Sequence, residues 1–123
     1  MRRHRQQMSQ AERNLADQFA RSLQIQDLTL HTAKRMDQKH VTEQDIRSAL
    51  VFGQVIEISK HSGNLRLLVR HDRRQDAVCV VIEPRTRRVV TTWKNSRQDQ
   101  HNTLDLSLYS WNTDMRTALE EVR

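Results

Sequence analysis

His31, Lys34 and Arg35 fall within five residues of one another in a segment with helical patterning, and at i and i+4 His31 and Arg35 share one helix face. A histidine beside two cations has its neutral form favoured, and a neutral imidazole can accept a proton at physiological pH. That is what a general base needs in phosphodiester cleavage, where the 2′-hydroxyl of RNA attacks the adjoining phosphorus. The alternative is a solvated helix face carrying a chance histidine. Arg66 and Arg70 stand four residues apart on one side of an alternating segment, roughly 13 Å from each other at about 3.3 Å per residue. Guanidiniums so spaced suit two successive phosphates better than a single bidentate anion. The charged face of an exposed edge strand would look the same.

Thr91, Trp93 and Asn95 share a strand face, with Lys94 and Arg97 close by. An aromatic ring among cations is how single-stranded bases are stacked, although with only five aromatic residues in the chain a core role for Trp93 competes. Asn95, His101, Asp105 and Tyr109 continue as a polar series able to donate to a phosphate or serve as an acid, Asp105 having the alternative of capping a short helix. The six histidines form no HExxH pair, and the single Cys79 joins no Cys/His cluster. No phosphate-binding glycine motif and no GxSxG occurs either. The reading is therefore of metal-independent chemistry with no cofactor.

Charge says where a partner would be met. Of the 21 Lys/Arg, ten lie between residues 60 and 98, together with only three of the 15 Asp/Glu. The net charge of +6 is thus concentrated in the segment that alternates as β-strands. A positive surface on a rigid sheet and its turns most often meets a polyanion, here expected to be RNA. Lys34, Arg66, Arg73, Arg74, Arg87, Arg88, Trp93, Lys94 and Arg97 are the candidate RNA contacts. The longest apolar run, Ala77 to Ile82, is too short to span a bilayer, and the Arg-rich start has no apolar segment behind it that would make a secretion signal. With one cysteine, no internal disulfide can form. No membrane association and a cytoplasmic location are expected.

Four-residue spacing of Leu15, Phe19 and Leu23 predicts an amphipathic helix entered at Ser9, with Glu12 three residues on. A second helix is predicted from about Thr29 to Lys39 with Leu30, Ala33 and Met36 turned inward, and a third from Thr42 to the Phe52-Gly53 stop. The period then changes to two. Strands are predicted over 55–59, 65–71, 77–83 and 89–95, the third apolar on both faces and so central, the fourth showing Val89, Thr91, Trp93 and Asn95 on one side. A polar loop over 96–102, a segment 104–109 and a closing helix near 113–122 follow. The predicted fold is a single α+β domain, N-terminal helices on one face of a twisted, mainly antiparallel four-stranded sheet, with a C-terminal helix.

Several of these segments resemble the RelE-like and BrnT-like ribonuclease toxins, or an uncharacterised relative with their barnase/EndoU/colicin/RelE-type fold. The resemblance lies in His31-Thr32-Ala33-Lys34-Arg35-Met36 and in Val41-Thr42-Glu43-Gln44-Asp45-Ile46. It continues through Ala49-Leu50, Gly53-Gln54-Val55-Ile56-Glu57, Leu67-Leu68-Val69-Arg70, Val80-Val81-Ile82 and Val89-Val90-Thr91. These short motifs cover about half of the chain. The resemblance implies a RelE-like core over 29–95, between an N-terminal helical extension (1–28) and a C-terminal extension (96–123). It also implies a small metal-independent RNase, often blocked by an acidic antitoxin or immunity protein. By position His31 would be the acid or base, Arg35 and Arg70 would stabilise the phosphorane, and Thr91 or Asn95 would assist.

An endoribonuclease acting through a 2′,3′-cyclic phosphate is the leading expectation, with His31, Arg35, Arg70, Thr91, Asn95, His101 and Tyr109 as candidate catalytic residues. A non-catalytic basic module, such as a phage or mobile-element accessory factor that binds nucleic acid or protein, uses the same charges without needing His31. A structural or assembly protein whose Arg73-Arg74 and Arg85 to Arg88 turns bind an acidic partner is the third.

Overall fold

Helix starts are set by local capping. In a computed structural model, which describes residues 1–99 and 105–122, Ser9 Oγ accepts from Glu12 N at 3.1 Å while the Glu12 carboxylate accepts from Ser9 N at 3.0 Å. This reciprocal pair opens α1 (Gln10–Ser22), and Thr42 with Asp45 repeats it ahead of α3 (Glu43–Phe52). Thr29 caps α2 (Leu30–Lys39), and α4 (Met115–Glu120) is capped by Asp114. At Gly53 the requirement is space. A Cβ there would press on the Ala49 carbonyl oxygen and lie 2.8 Å from Arg70 O and 2.9 Å from Val69 Cγ1. Gly53→Ala should therefore cost about 1–3 kcal/mol, read as a lower urea midpoint; an unchanged midpoint would refute the close approach.

The sheet contains the expected meander of β3 (Gln54–His61), β4 (Asn64–Asp72), β5 (Ala77–Glu83) and β6 (Arg88–Asn95), all antiparallel. Two short strands extend it, so the predicted four become six in the order β1-β3-β4-β5-β6-β2. β1 (Arg2–His4) runs antiparallel to β3 and β2 (Asp27–Leu28) parallel to β6. Neither had a signal in the sequence, since three polar residues and a dipeptide show no period; they are strands only because an edge was free to pair. Ion pairs lock β1 in place: Arg2 to Glu57 at 2.7 Å, and Arg5, just beyond it, to Asp17 at 2.9 Å.

Phe19, Leu50 and Leu119 from three helices pack with Ile58, Leu67, Val69 and Ile82, and Ile46 and Ala49 with Val78, Val80 and Val89. β5 is central, as its double-sided apolarity predicted. Two facings differ from expectation. Leu30 is 85 % exposed and Ala33 also faces solvent, because α2 is anchored through Thr32, which is fully buried. Val89 is buried on the face opposite Thr91, because the β5–β6 register shifts between Val81 and Ile82 and reverses the alternation there. The segment after the loop is a 3-10 turn, Leu106–Leu108, capped by Asp105. Among the described residues no helix is long and apolar enough to cross a membrane.

Candidate functional site

Register decides what shares the sheet face turned away from the core. Leu68, Val81 and Thr91 align across β4, β5 and β6, and Arg70, Cys79 and Trp93 form the next row. Leu68, Val81 and Trp93 are partly exposed, so this face offers an apolar floor. α2 stands beside it, held at its first turn by two threonines. Thr32 Oγ1 donates to Val89 O at 2.8 Å, and Thr29 Oγ1 to Val90 O at 3.4 Å. That clamp brings His31 Nε2 to 3.3 Å from Thr91 Oγ1, joining two residues sixty positions apart. His31 stays exposed. Lys34 and Arg35 follow within about one turn, and among the described residues neither makes an ion pair.

Arg70 has another employment. Its side chain is 4 % exposed, with Nε donating to Asp72 Oδ1 at 2.7 Å and Nη2 to Ser96 O at 3.2 Å. The guanidinium ties β4 to the segment leaving β6. It lies two strands from Thr91 and two residues along, roughly 12 Å by strand spacing and rise. Asn95 Nδ2 lies 3.8 Å from Cys79 Sγ, a thiol whose burial pushes it up to about 12. Tyr109 is at the other side of the sheet, by β1 and β3. Its hydroxyl accepts from Arg2 Nη2 at 3.0 Å, its ring lies 4.3 Å from the Arg2 guanidinium carbon, and the His4 ring meets it edge-on. His101 lies outside the described residues. Of the predicted catalytic set, the fold thus brings His31 and Thr91 together with Arg35 nearby, and sends Arg70 and Tyr109 elsewhere.

The predicted RNA contacts divide similarly. Arg74, Arg88 and Arg97 are exposed, and Arg66 is 3.7 Å from Glu83 on the sheet face shared with Thr91. Arg73 is structural, 2.7 Å from both Asp45 and Asp76, and Lys94 approaches Asp76 at 3.9 Å. Arg87 lines a cleft by Phe19, away from His31. The Arg73 hydrogen bond, outweighing desolvation, holds the Asp76 carboxyl below its ordinary range. A depressed folded value gives stability that is present above the unfolded value and lost as pH falls through the folded one. Asp76→Asn should accordingly lower the urea midpoint at neutral pH and flatten its decline into acid; a parallel decline in both proteins would remove Asp76 as the cause.

Leu68 and Val81 were not singled out in the sequence as part of the site, although their alternation with the core residues of β4 and β5 was the available signal. Among the described residues no group of three or more His, Cys, Asp or Glu is placed to hold a metal ion. A family model described as a domain of unknown function (DUF4258) matches residues 28–97, the span from β2 to just past β6. No curated protein and no solved structure matches the chain.

Proposed function

Given that the chain belongs to the DUF4258 family, we propose from the pairing of His31 with Thr91 beside free cations that it is a metal-independent endoribonuclease of toxin type. The single observation behind this reading is the 3.3 Å approach of an exposed imidazole to a hydroxyl on the outward sheet face. His31 takes the proton of a ribose 2′-hydroxyl, and the freed oxygen attacks the adjoining phosphorus. The bond to the 5′-oxygen breaks as a proton is returned to it. A 2′,3′-cyclic phosphate and a 5′-hydroxyl result. Thr91 orients the ring, Arg35 and Lys34 offset the charge gathering on the phosphorane, and Leu68, Val81 and Trp93 receive a neighbouring base. Arg70 is a positioning residue here, holding the strand end and not the phosphate. The likeness to RelE-like and BrnT-like toxins, the cytoplasmic setting and an acidic antitoxin or immunity partner belong to the same proposal.

Arg70's engagement by Asp72 favours a second reading, a non-catalytic RNA-binding module, since one cation expected at the phosphate is already neutralised. Incubation of the purified protein with total RNA in EDTA separates the two. Cyclic-phosphate ends support the nuclease. Intact RNA at high protein concentration, with retention that weakens steeply as salt rises, supports the module.

A further inference from the structure

Among the described residues Leu30 is the most exposed of the large apolar side chains, at 85 %, ahead of Phe52 at 71 % and Leu108 at 69 %. Folding gives it nothing to do. Thr29 caps α2 and the buried Thr32 anchors the helix through Val89 O, so a polar residue would fit at position 30 as well. What separates Leu30 from the other exposed side chains is its place. Successive helical residues are turned by about 100° around the axis. With Thr32 turned inward, Leu30 and Lys34 therefore stand on the outer crest of α2, and His31 and Arg35 occupy the flank toward Thr91. Phe52 instead lies against the His71 ring, and Leu108 precedes Tyr109 on the β1 side of the sheet. Of these exposed side chains, it is Leu30 that borders the candidate site.

The chemistry at His31 gives such a side chain a use. A ribose 2′-oxygen displaces the 5′-oxygen only when it, the phosphorus and the 5′-oxygen come into line. In a stacked strand they are far from that line, and the rotation that aligns them draws apart the two bases flanking the phosphate. We propose that Leu30 is a wedge that enters between those two bases and holds them unstacked while His31 takes the proton, an inference that rests on the ribonuclease reading of His31 and Thr91. One base is then left to the floor of Leu68, Val81 and Trp93, and the other passes over the crest of α2. Apolar side chains such as leucine are suited to parting stacked bases, because they replace the lost base contact without asking for a hydrogen bond. Lys34 and Arg35, one turn along, keep the phosphates in front of the crest. The substrate is accordingly a single strand, and bonds between weakly stacked bases are cut fastest.

The test is the rate at which the full chain cuts two oligonucleotides in EDTA. Both carry 2′-O-methyl riboses at every position but one, so that a single bond can be cut, and all four bases are mixed at that position. The first oligonucleotide has all four bases mixed on the 3′ side of the bond as well. The second has an abasic ribose there, which leaves nothing to unstack. Leu30→Ser should cut the first about tenfold or more slowly than wild type, and the second at nearly the wild-type rate. Its urea midpoint should not change, because the side chain it replaces is exposed. Leu30→Met keeps an apolar wedge and should cut both oligonucleotides as wild type does. Equal slowing of Leu30→Ser on both, or none on either, would overturn the wedge while leaving His31 in its role. If wild type cuts neither, the ribonuclease reading itself fails and the wedge falls with it.

Discussion

His31→Ala is expected to lower RNA cleavage by about 10²- to 10⁴-fold, the range that a positioned general base contributes. The residue is exposed and its side-chain hydrogen-bond partner is Thr91, so the urea midpoint should hardly move, within about 0.5 kcal/mol. Thr91→Val keeps the shape of the strand but releases the ring, and a smaller loss, on the order of tenfold, should follow. The measurement is the initial rate of appearance of cyclic-phosphate ends, with both variants checked for folding. Equal rates for wild type and His31→Ala would remove His31 from the chemistry. Arg70→Ala is informative in a different way: a loss of rate together with a lower midpoint fits a positioning residue, while a loss of rate in a fully stable variant would return Arg70 to the phosphate.

The largest loss of stability should come from Asp17→Ala. Asp17 is 8 % exposed and receives Arg5 on both carboxylate oxygens, Nη1 at 2.9 Å and Nη2 at 3.1 Å. It also accepts from Val55 N at 2.9 Å. One carboxylate therefore joins the residue that follows β1 to α1 and to the start of β3. Its removal leaves a largely buried guanidinium without its counter-ion and a buried N–H without its acceptor. Breaking one side of such a pair costs about 3–5 kcal/mol, a large share of the roughly 5–15 kcal/mol that holds a domain of this kind together. Urea denaturation checks it directly. The paired replacement Arg5→Met with Asp17→Leu should recover part of the loss, because no charge is then stranded, although Val55 N–H would still lack its partner. A midpoint for Asp17→Ala within about 0.5 kcal/mol of wild type would mean that the contacts are not maintained in solution.

Asp17 also illustrates what was illegible before the fold was known. In the sequence it belongs to the polar side of an amphipathic helix, among Arg13, Gln18 and Arg21, and nothing distinguishes it from them. Its importance comes from Arg5 and Val55, both supplied by other elements. The surroundings of Arg70 were illegible for the same reason. Alternation placed it correctly on the face of β4 away from the core, but a charged residue there reads as solvent-facing until Asp72 and Ser96 are seen around it. α2 shows a milder form of the difficulty: Leu30 is apolar and was assigned inward, yet Thr32 has the buried place because its hydroxyl reaches the Val89 carbonyl.

What the sequence determined by itself was local. Ser9 with Glu12 and Thr42 with Asp45 started their helices, the period-two segments made the four long strands, and the apolar run from Ala77 to Ile82 took the centre of the sheet. Caps and periodicity act over a few residues and need no knowledge of the rest of the chain. Tertiary structure alone decided the outer strands, the bulge that parts Val89 from Thr91, the pairing of His31 with Thr91, and the burial of Arg70. Each depends on which distant group fills an edge, a carbonyl or a charge, and that is fixed only when the elements pack.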